Sequence, residues 1–114
     1  MSKLENSYRE DCLFCKIVRG LEPSKKVLET DDFLVIHNKY PGAPTHLLVL
    51  DKSHNEKKQT ISGEIAGYWD KMFGAANLAI KEVGLDKGYK LINNGGSYAH
   101  FEHEHLHVLG GEKF

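Results

Sequence analysis

His103-Glu104-His105-Leu106-His107-Val108-Leu109 is the stretch on which the reading of this chain turns. Successive side chains of a strand point to opposite faces. As a strand, the run puts three imidazoles in a row on one face and sends Leu106 and Val108 into a core behind them. Seven histidines in 114 residues is a high count, and an alternating set inside a β-rich, glycine-terminated segment is unlike a tag. Three readings stay open for the cluster. It is a solvated polar face; or two histidines and a distant ligand hold a catalytic zinc; or the row works on phosphate without a metal. Histidine, with an unperturbed pKa of about 6.5, can be nucleophile, acid or donor near neutrality.

Working outward, Phe101 to Leu109 reads as the last strand, Asn94 to Ala99 as a glycine-bearing loop, and Tyr89 to Asn93 as the strand before it. Upstream, Ile65, Trp69, Met72, Phe73, Ala76 and Ile80 follow the spacing of one buried helical face. That helix is expected to be capped by Thr60 or Ser62, to carry Glu64 in its first turn and to close at Gly84. Gly63, Gly67 and Gly74 each weaken such a helix by about 1 kcal/mol relative to alanine. Asp51 to Gln59 is charged and loop-like. Thr45 to Leu50 is a mostly apolar run expected to be a central strand buried on both faces. Lys26 to Thr30 and Phe33 to His37 form a hairpin about Asp31-Asp32. Leu13, Phe14, Ile17 and Val18 give a short helix stopped by Gly20 and Pro23. The whole is an α+β domain: one mostly antiparallel five-stranded sheet, one short and one long helix, with the helices on one face. Residues 1–10 are a polar, flexible tail and 11–114 a single domain.

Composition narrows the classes. Fifteen basic and sixteen acidic residues give a formal net charge of −1, which offers no footprint for nucleic acid or an anionic membrane. No run approaches the ~20 apolar residues of a membrane span, and the polar start lacks the apolar core of a signal peptide. A cytoplasmic location is expected. There, Cys12 and Cys15, three apart, read as metal ligands or a redox pair before a structural disulfide.

The chain resembles the histidine triad family. The 103–109 run matches its signature of three alternating histidines followed by two apolar residues. Cys12-Leu13-Phe14-Cys15-Lys16-Ile17-Val18-Arg19-Gly20 is similar to its opening segment, and Pro44-Thr45-His46-Leu47-Leu48-Val49-Leu50 to its central strand, followed by Lys52-Ser53-His54. Gly88-Tyr89-Lys90-Leu91-Ile92-Asn93-Asn94-Gly95 is similar to the strand before the triad, and Leu109-Gly110-Gly111 to the ending of the nucleotide-binding branch. The resemblance is collinear over residues 11 to 114.

That resemblance implies a homodimer whose two sheets join, acting on the α-phosphate of purine nucleotide conjugates. His105 would be the nucleophile, forming a covalent nucleotidyl-histidine with its ring held by a backbone carbonyl. His107 would donate to phosphate or leaving group, and His46 would support the nucleophile from behind. A nucleoside phosphoramidate is the leading substrate. A dinucleotide polyphosphate is the alternative, and a nucleotide-binding module with little turnover the other. Asn38, Asn93, Ala99, His100, Phe101 and His107 are the candidate substrate contacts. Asn38 stands where the family has an aspartate that grips ribose, and it can bond a hydroxyl only without charge. The loop 94–102 is one residue short, and Ala99 and His100 replace a glutamine and a small hydroxyl residue. His100 can take over as donor to the leaving group. The chain ends at Phe114, without the longer tail that shapes leaving-group choice in some relatives. The resemblance also supplies partners for the cysteines: Cys12, Cys15, His54 and His103 as a closed structural zinc site, with no cofactor needed for catalysis.

Overall fold

A computed structural model of the protein describes residues 8–111. The expected tail, residues 1–10, falls mostly outside the described residues. Helix α1 (Leu13–Val18) starts where the Cys12 sulfur accepts the Cys15 backbone N–H, 3.4 Å away. Strands β1 (Lys26–Glu29) and β2 (Phe33–His37) form the expected hairpin, and β3 (Thr45–Asp51) follows. Next come a single turn α2 (Lys57–Thr60), the long helix α3 (Tyr68–Val83), and strands β4 (Tyr89–Ile92) and β5 (His105–Gly110). The five strands form one sheet in the order β1-β2-β3-β5-β4, and every neighbouring pair is antiparallel.

β3 is buried along Leu47, Leu48, Val49, Leu50 and Asp51 because the sheet is covered on both sides. One face presents Phe33, Val35, Leu47, Val49, Leu106 and Val108 to α3, which answers with Tyr68, Met72, Ala75, Ala76, Ala79 and Ile80. The other presents Leu34, Ile36, Leu48 and Leu50 to Phe14, with Ile17 and Val18 of α1 packed against them. The expectation of helices on one face is thereby corrected. A central strand with apolar residues at every position has two faces to bury, and α1 covers part of the second.

The long helix also begins later than expected. Gln59 Oε1 accepts the Glu56 N–H at 2.8 Å and closes α2 as its own turn. The chain then passes through Gly63 and Gly67, whose φ angles of 85° and 69° lie in the left-handed region. A residue there cannot continue a right-handed helix, so α3 starts at Tyr68. The buried stripe shifts accordingly: Tyr68 and Ala79 are in the core, while Phe73 is 40% exposed. At the other end of the domain, a Cβ on Gly110 would stand 2.8 Å from the Gly88 carbonyl oxygen. The close approach of the Gly88 backbone and the Leu85 side chain leaves no room for a side chain where the strand ends.

The last strand begins at His105, so His103 precedes the sheet. β5 pairs with β3 from Leu50 opposite His105 to Thr45 opposite Gly110. It pairs with β4 only as far as Ile92 opposite His107. His105 therefore has a strand neighbour on one side only.

Candidate active site and metal cluster

His105 and His107 share a face as the alternation requires, with ring centroids 5.1 Å apart. His105 is 4% exposed. Its Nδ1 lies 2.8 Å from the His103 carbonyl oxygen, which can only accept, so Nδ1 carries the proton and donates. Nε2 keeps its lone pair, the requirement for a nitrogen nucleophile. The Phe14 ring packs edge-on at 5.0 Å from the His105 ring and lies tilted at 4.6 Å from Phe101. Burial lowers the pKa of His105, opposed in part by its bond to the His103 carbonyl. The neutral ring is favoured near pH 7.

A chain of bonds also fixes His107. The Gly42 N–H donates to His46 Nδ1 at 2.8 Å, so neutral His46 carries its proton on Nε2. That proton reaches His107 Nδ1, also at 2.8 Å. His107 must then hold its own proton on Nε2, as a donor. Burial lowers the pKa of His46, and burial with the neighbouring His105 and His46 pushes His107 down to about 4. The site thus joins an acceptor nitrogen on His105 to a donor nitrogen on His107, with both rings neutral.

The expected substrate contacts separate in the structure. Asn38 Oδ1 accepts the Tyr40 N–H at 2.8 Å, and its Nδ2 lies 3.3 Å from His46 Nε2. Asn38 therefore borders the histidine relay. Ala99 follows a short 3₁₀ turn, Gly96–Tyr98. His100 is exposed, yet near enough to bear electrostatically on His105 and His107. Phe101, 41% exposed, lies over Phe14 with its ring centroid 6.4 Å from that of His105. Asn93 is spent: its Nδ2 donates to Glu104 Oε2 and to the His105 carbonyl oxygen, both at 2.8 Å. Its Oδ1 accepts from Lys57 Nζ. Through these bonds Asn93 holds the backbone of the strand.

His103 belongs to another cluster. Its Nε2–H donates to the Asp51 carbonyl oxygen at 2.6 Å. Its Nδ1 faces Cys12 Sγ at 3.4 Å and Cys15 Sγ at 3.5 Å. His54 is arranged alike: Nε2 lies 2.7 Å from the Glu56 carboxylate, and Nδ1 3.3 Å from Cys15 Sγ. All four donor atoms lie within 4.8 Å of one another. In a tetrahedron with Zn–S of ~2.3 Å and Zn–N of ~2.0 Å, sulfur and nitrogen stand roughly 3.5 Å apart, which matches these separations. Each imidazole turns an unprotonated Nδ1 inward and fixes its other nitrogen on an oxygen, the support a metal-binding histidine needs. Burial pushes His103 down to about 4, as its contact with the Asp51 carbonyl pulls the other way, so the ring is neutral. Burial pushes the Cys15 thiol up to about 11. A bound cation would offset that and favour thiolate. The donor set fits zinc.

The residues that hold these histidines are specified by no sequence motif. Asp51 takes the Tyr68 hydroxyl at 2.7 Å, the Asn55 side chain at 2.9 Å and the Ser53 N–H at 2.8 Å, while its carbonyl fixes His103. Burial, and then the charge of Asp51, raises the Tyr68 pKa and keeps the phenol a donor. Glu104 is 3% exposed and bonded to Lys57, Thr60 and Asn93. The available signal was an acid at positions where the apolar pattern expects core.

Comparison with known proteins gives a consistent picture. A family model described as "Scavenger mRNA decapping enzyme C-term binding" matches residues 11–113. An uncharacterized HIT-like protein of Chlamydia trachomatis is 37% identical, over 87% of this chain and 91% of its own. A HIT family hydrolase from Clostridium thermocellum superposes with a TM-score of 0.85 at 33% identity, covering 93% of this chain and 95% of that one. A histidine triad nucleotide-binding protein from Candida albicans gives 0.74 at 30%, covering 86% and 73%. A zinc-bound histidine triad family protein from Mycobacterium smegmatis gives 0.71 at 29%, covering 90% and 76%. Among the described residues, no helix is long and apolar enough to cross a membrane.

Proposed function

The chain belongs to the histidine triad family, and from that premise we propose that it hydrolyses nucleoside phosphoramidates through a covalent nucleotidyl-histidine. The observation that carries this reading is the His105 Nδ1 contact with the His103 carbonyl, which leaves Nε2 able to attack. Nε2 bonds to the α-phosphorus, the phosphorus–nitrogen bond to the leaving amine breaks, and the amine takes up a proton. Water then cleaves the new bond, restoring His105 and releasing the nucleoside monophosphate. His107, a donor through Nε2, stabilises a phosphoryl oxygen. His46 sets its tautomer. His100, exposed and close enough to influence His105 and His107, is the proposed donor to the leaving group. A dinucleotide polyphosphate is the second substrate to try, since the same attack applies with an oxygen leaving group. The relatives from Clostridium thermocellum and Candida albicans, a hydrolase and a nucleotide-binding protein by description, support the substrate class.

Zinc at Cys12, Cys15, His54 and His103 is the proposed structural metal, tying α1 and the 52–56 loop to the approach to β5. The zinc-bound relative supports this. A reduced, metal-holding cysteine pair suits the cytoplasm. A second copy of the chain is the proposed partner, docking on the outer edge of β4, where Tyr89 is 45% exposed. Sedimentation equilibrium checks that: a dimer is expected, and a monomer at micromolar concentration would refute it.

The experiment is AMP release from adenosine 5′-phosphoramidate and from a diadenosine polyphosphate, comparing wild type with His105→Ala. Release from the phosphoramidate that disappears in the variant supports the proposal. AMP binding without release from either substrate would turn the protein into a binding module.

A further inference from the structure

The backbone of His105 is held unevenly. On the β3 side it pairs opposite Leu50. On the β4 side the ladder stops at Ile92 opposite His107. There a side chain takes the place of a strand: the second N–H of Asn93 bonds the His105 carbonyl oxygen at 2.8 Å. A primary amide can be turned end for end. Here its direction is set by charge, since Lys57 Nζ takes its oxygen and Glu104 Oε2 takes its nitrogen. The two charges also meet directly, Nζ to Oε2 at 2.9 Å. Thr60 Oγ1 completes the carboxylate at 2.6 Å. The Lys57 stem passes so close to Gly95 that a Cβ there would stand 3.1 Å from it, and its ammonium lies 5.0 Å from the Trp69 ring centroid. Lys57 is thus steadied by Gly95 and Trp69, with its ammonium directed to Asn93 and Glu104.

Burying a carboxylate between two functional histidines is unfavourable unless it is paired. A leucine would serve a core position with none of that difficulty. The arrangement gives the loop before the triad and the backbone of His105 one fixed relation.

We propose that Lys57, Glu104 and Asn93 form a positioning unit that holds His105 in its attacking orientation from the β4 side. The proposal concerns positioning and rests on the assignment of His105 as nucleophile. In this role the three residues act through His105 and not on the reacting atoms. Because they act on orientation, they govern the rate of attack and leave nucleotide affinity alone.

The test uses Lys57→Met, which keeps the stem and removes the charge, and Lys57→Arg, which returns it. Turnover of adenosine 5′-phosphoramidate by Lys57→Met is expected to drop at least tenfold in kcat, with KM and AMP affinity within about twofold of wild type. Lys57→Arg should recover much of the loss. In parallel, NMR exchange of the His105 Nδ1 proton reports orientation without any turnover. It should be protected in wild type and exchange at least tenfold faster in Lys57→Met. Should that variant fail to fold because Glu104 is left unpaired, Lys57→Met/Glu104→Leu removes both charges and is judged by the same two criteria. Unchanged kcat, a loss carried by KM, or unchanged proton exchange in the folded variant would overturn the proposal. A wild type inactive on every nucleotide conjugate would instead remove the hydrolase reading, and the proton exchange would still decide the positioning.

Discussion

His103 and His105 are two residues apart and live in different chemistry. His103 stands before the strand with its Nδ1 turned to two thiols and its Nε2 tied to a carbonyl. His105 opens the strand, with its Nδ1 tied to a carbonyl and its Nε2 left available. The same side chain is presented in opposite senses, and an oxygen acceptor decides which nitrogen is offered. One arrangement suits a soft cation and the other an electrophilic phosphorus. The two are also joined, because the carbonyl that orients His105 belongs to His103.

The largest effect expected from breaking the comparison is on the nucleophile. His105→Ala should lower turnover by roughly 10³-fold or more while leaving the melting temperature and bound zinc near wild type, read by steady-state AMP release, calorimetry and metal analysis. The reverse pattern is expected for the other cluster. Removing zinc with a chelator, or Cys15→Ala, should lower the melting temperature by roughly 10 °C or more, about 2 kcal/mol for a domain of this size. Turnover at a temperature where the protein stays folded should change less. Equal losses of rate in both experiments would merge the two clusters into one.

His46→Ala should have an intermediate effect, roughly a 10–100-fold drop in kcat, because His107 loses the bond that fixes its tautomer. Glutamine placed at 46 can still donate and should restore part of the rate. The pH dependence is weaker and has a definite sign. His107 titrates near 4 when folded, below its ordinary 6.5, so the unfolded chain binds more protons between those values. Stability should rise with pH across that window, and urea unfolding at pH 5 and pH 7 measures it. Turnover should hold as pH falls through 6.5, breaking lower. The smallest effect comes from side chains that belong to neither cluster. Lys52 and Lys26 hold Glu29 at about 2, below its ordinary 4.5. Its contribution is present above pH 4.5 and fades as pH falls toward 2. Glu29→Gln should flatten that part of the curve slightly, because Glu29 and Lys26 are exposed and screened by water.

Much of this was legible in the sequence. The hairpin of β1 and β2 and the central β3 follow from apolar runs and turn residues, and lie where expected. The Cys12, Cys15, His54 and His103 set also comes together as the resemblance implied. Other features could not be read locally. The late start of α3 depends on the left-handed turns at Gly63 and Gly67, and a glycine in a periodic stretch does not announce its φ. The departure of His103 from the strand depends on Asp51 and on the Glu104 N–H, which donates to the Asn55 carbonyl at 2.8 Å. These are contacts across the fold. The resemblance implies a phosphate contact for Asn93. Its commitment to Glu104 and His105 appears only when β4 and β5 are set side by side.

The most direct test of the division between the histidines is to quench the protein during turnover of adenosine 5′-phosphoramidate and map the adenylylated peptide by mass spectrometry. The account predicts an adduct on His105, absent in His105→Ala and still formed after zinc removal at a temperature where the fold survives. An adduct on His103 or His107, or turnover that persists in His105→Ala, would contradict it.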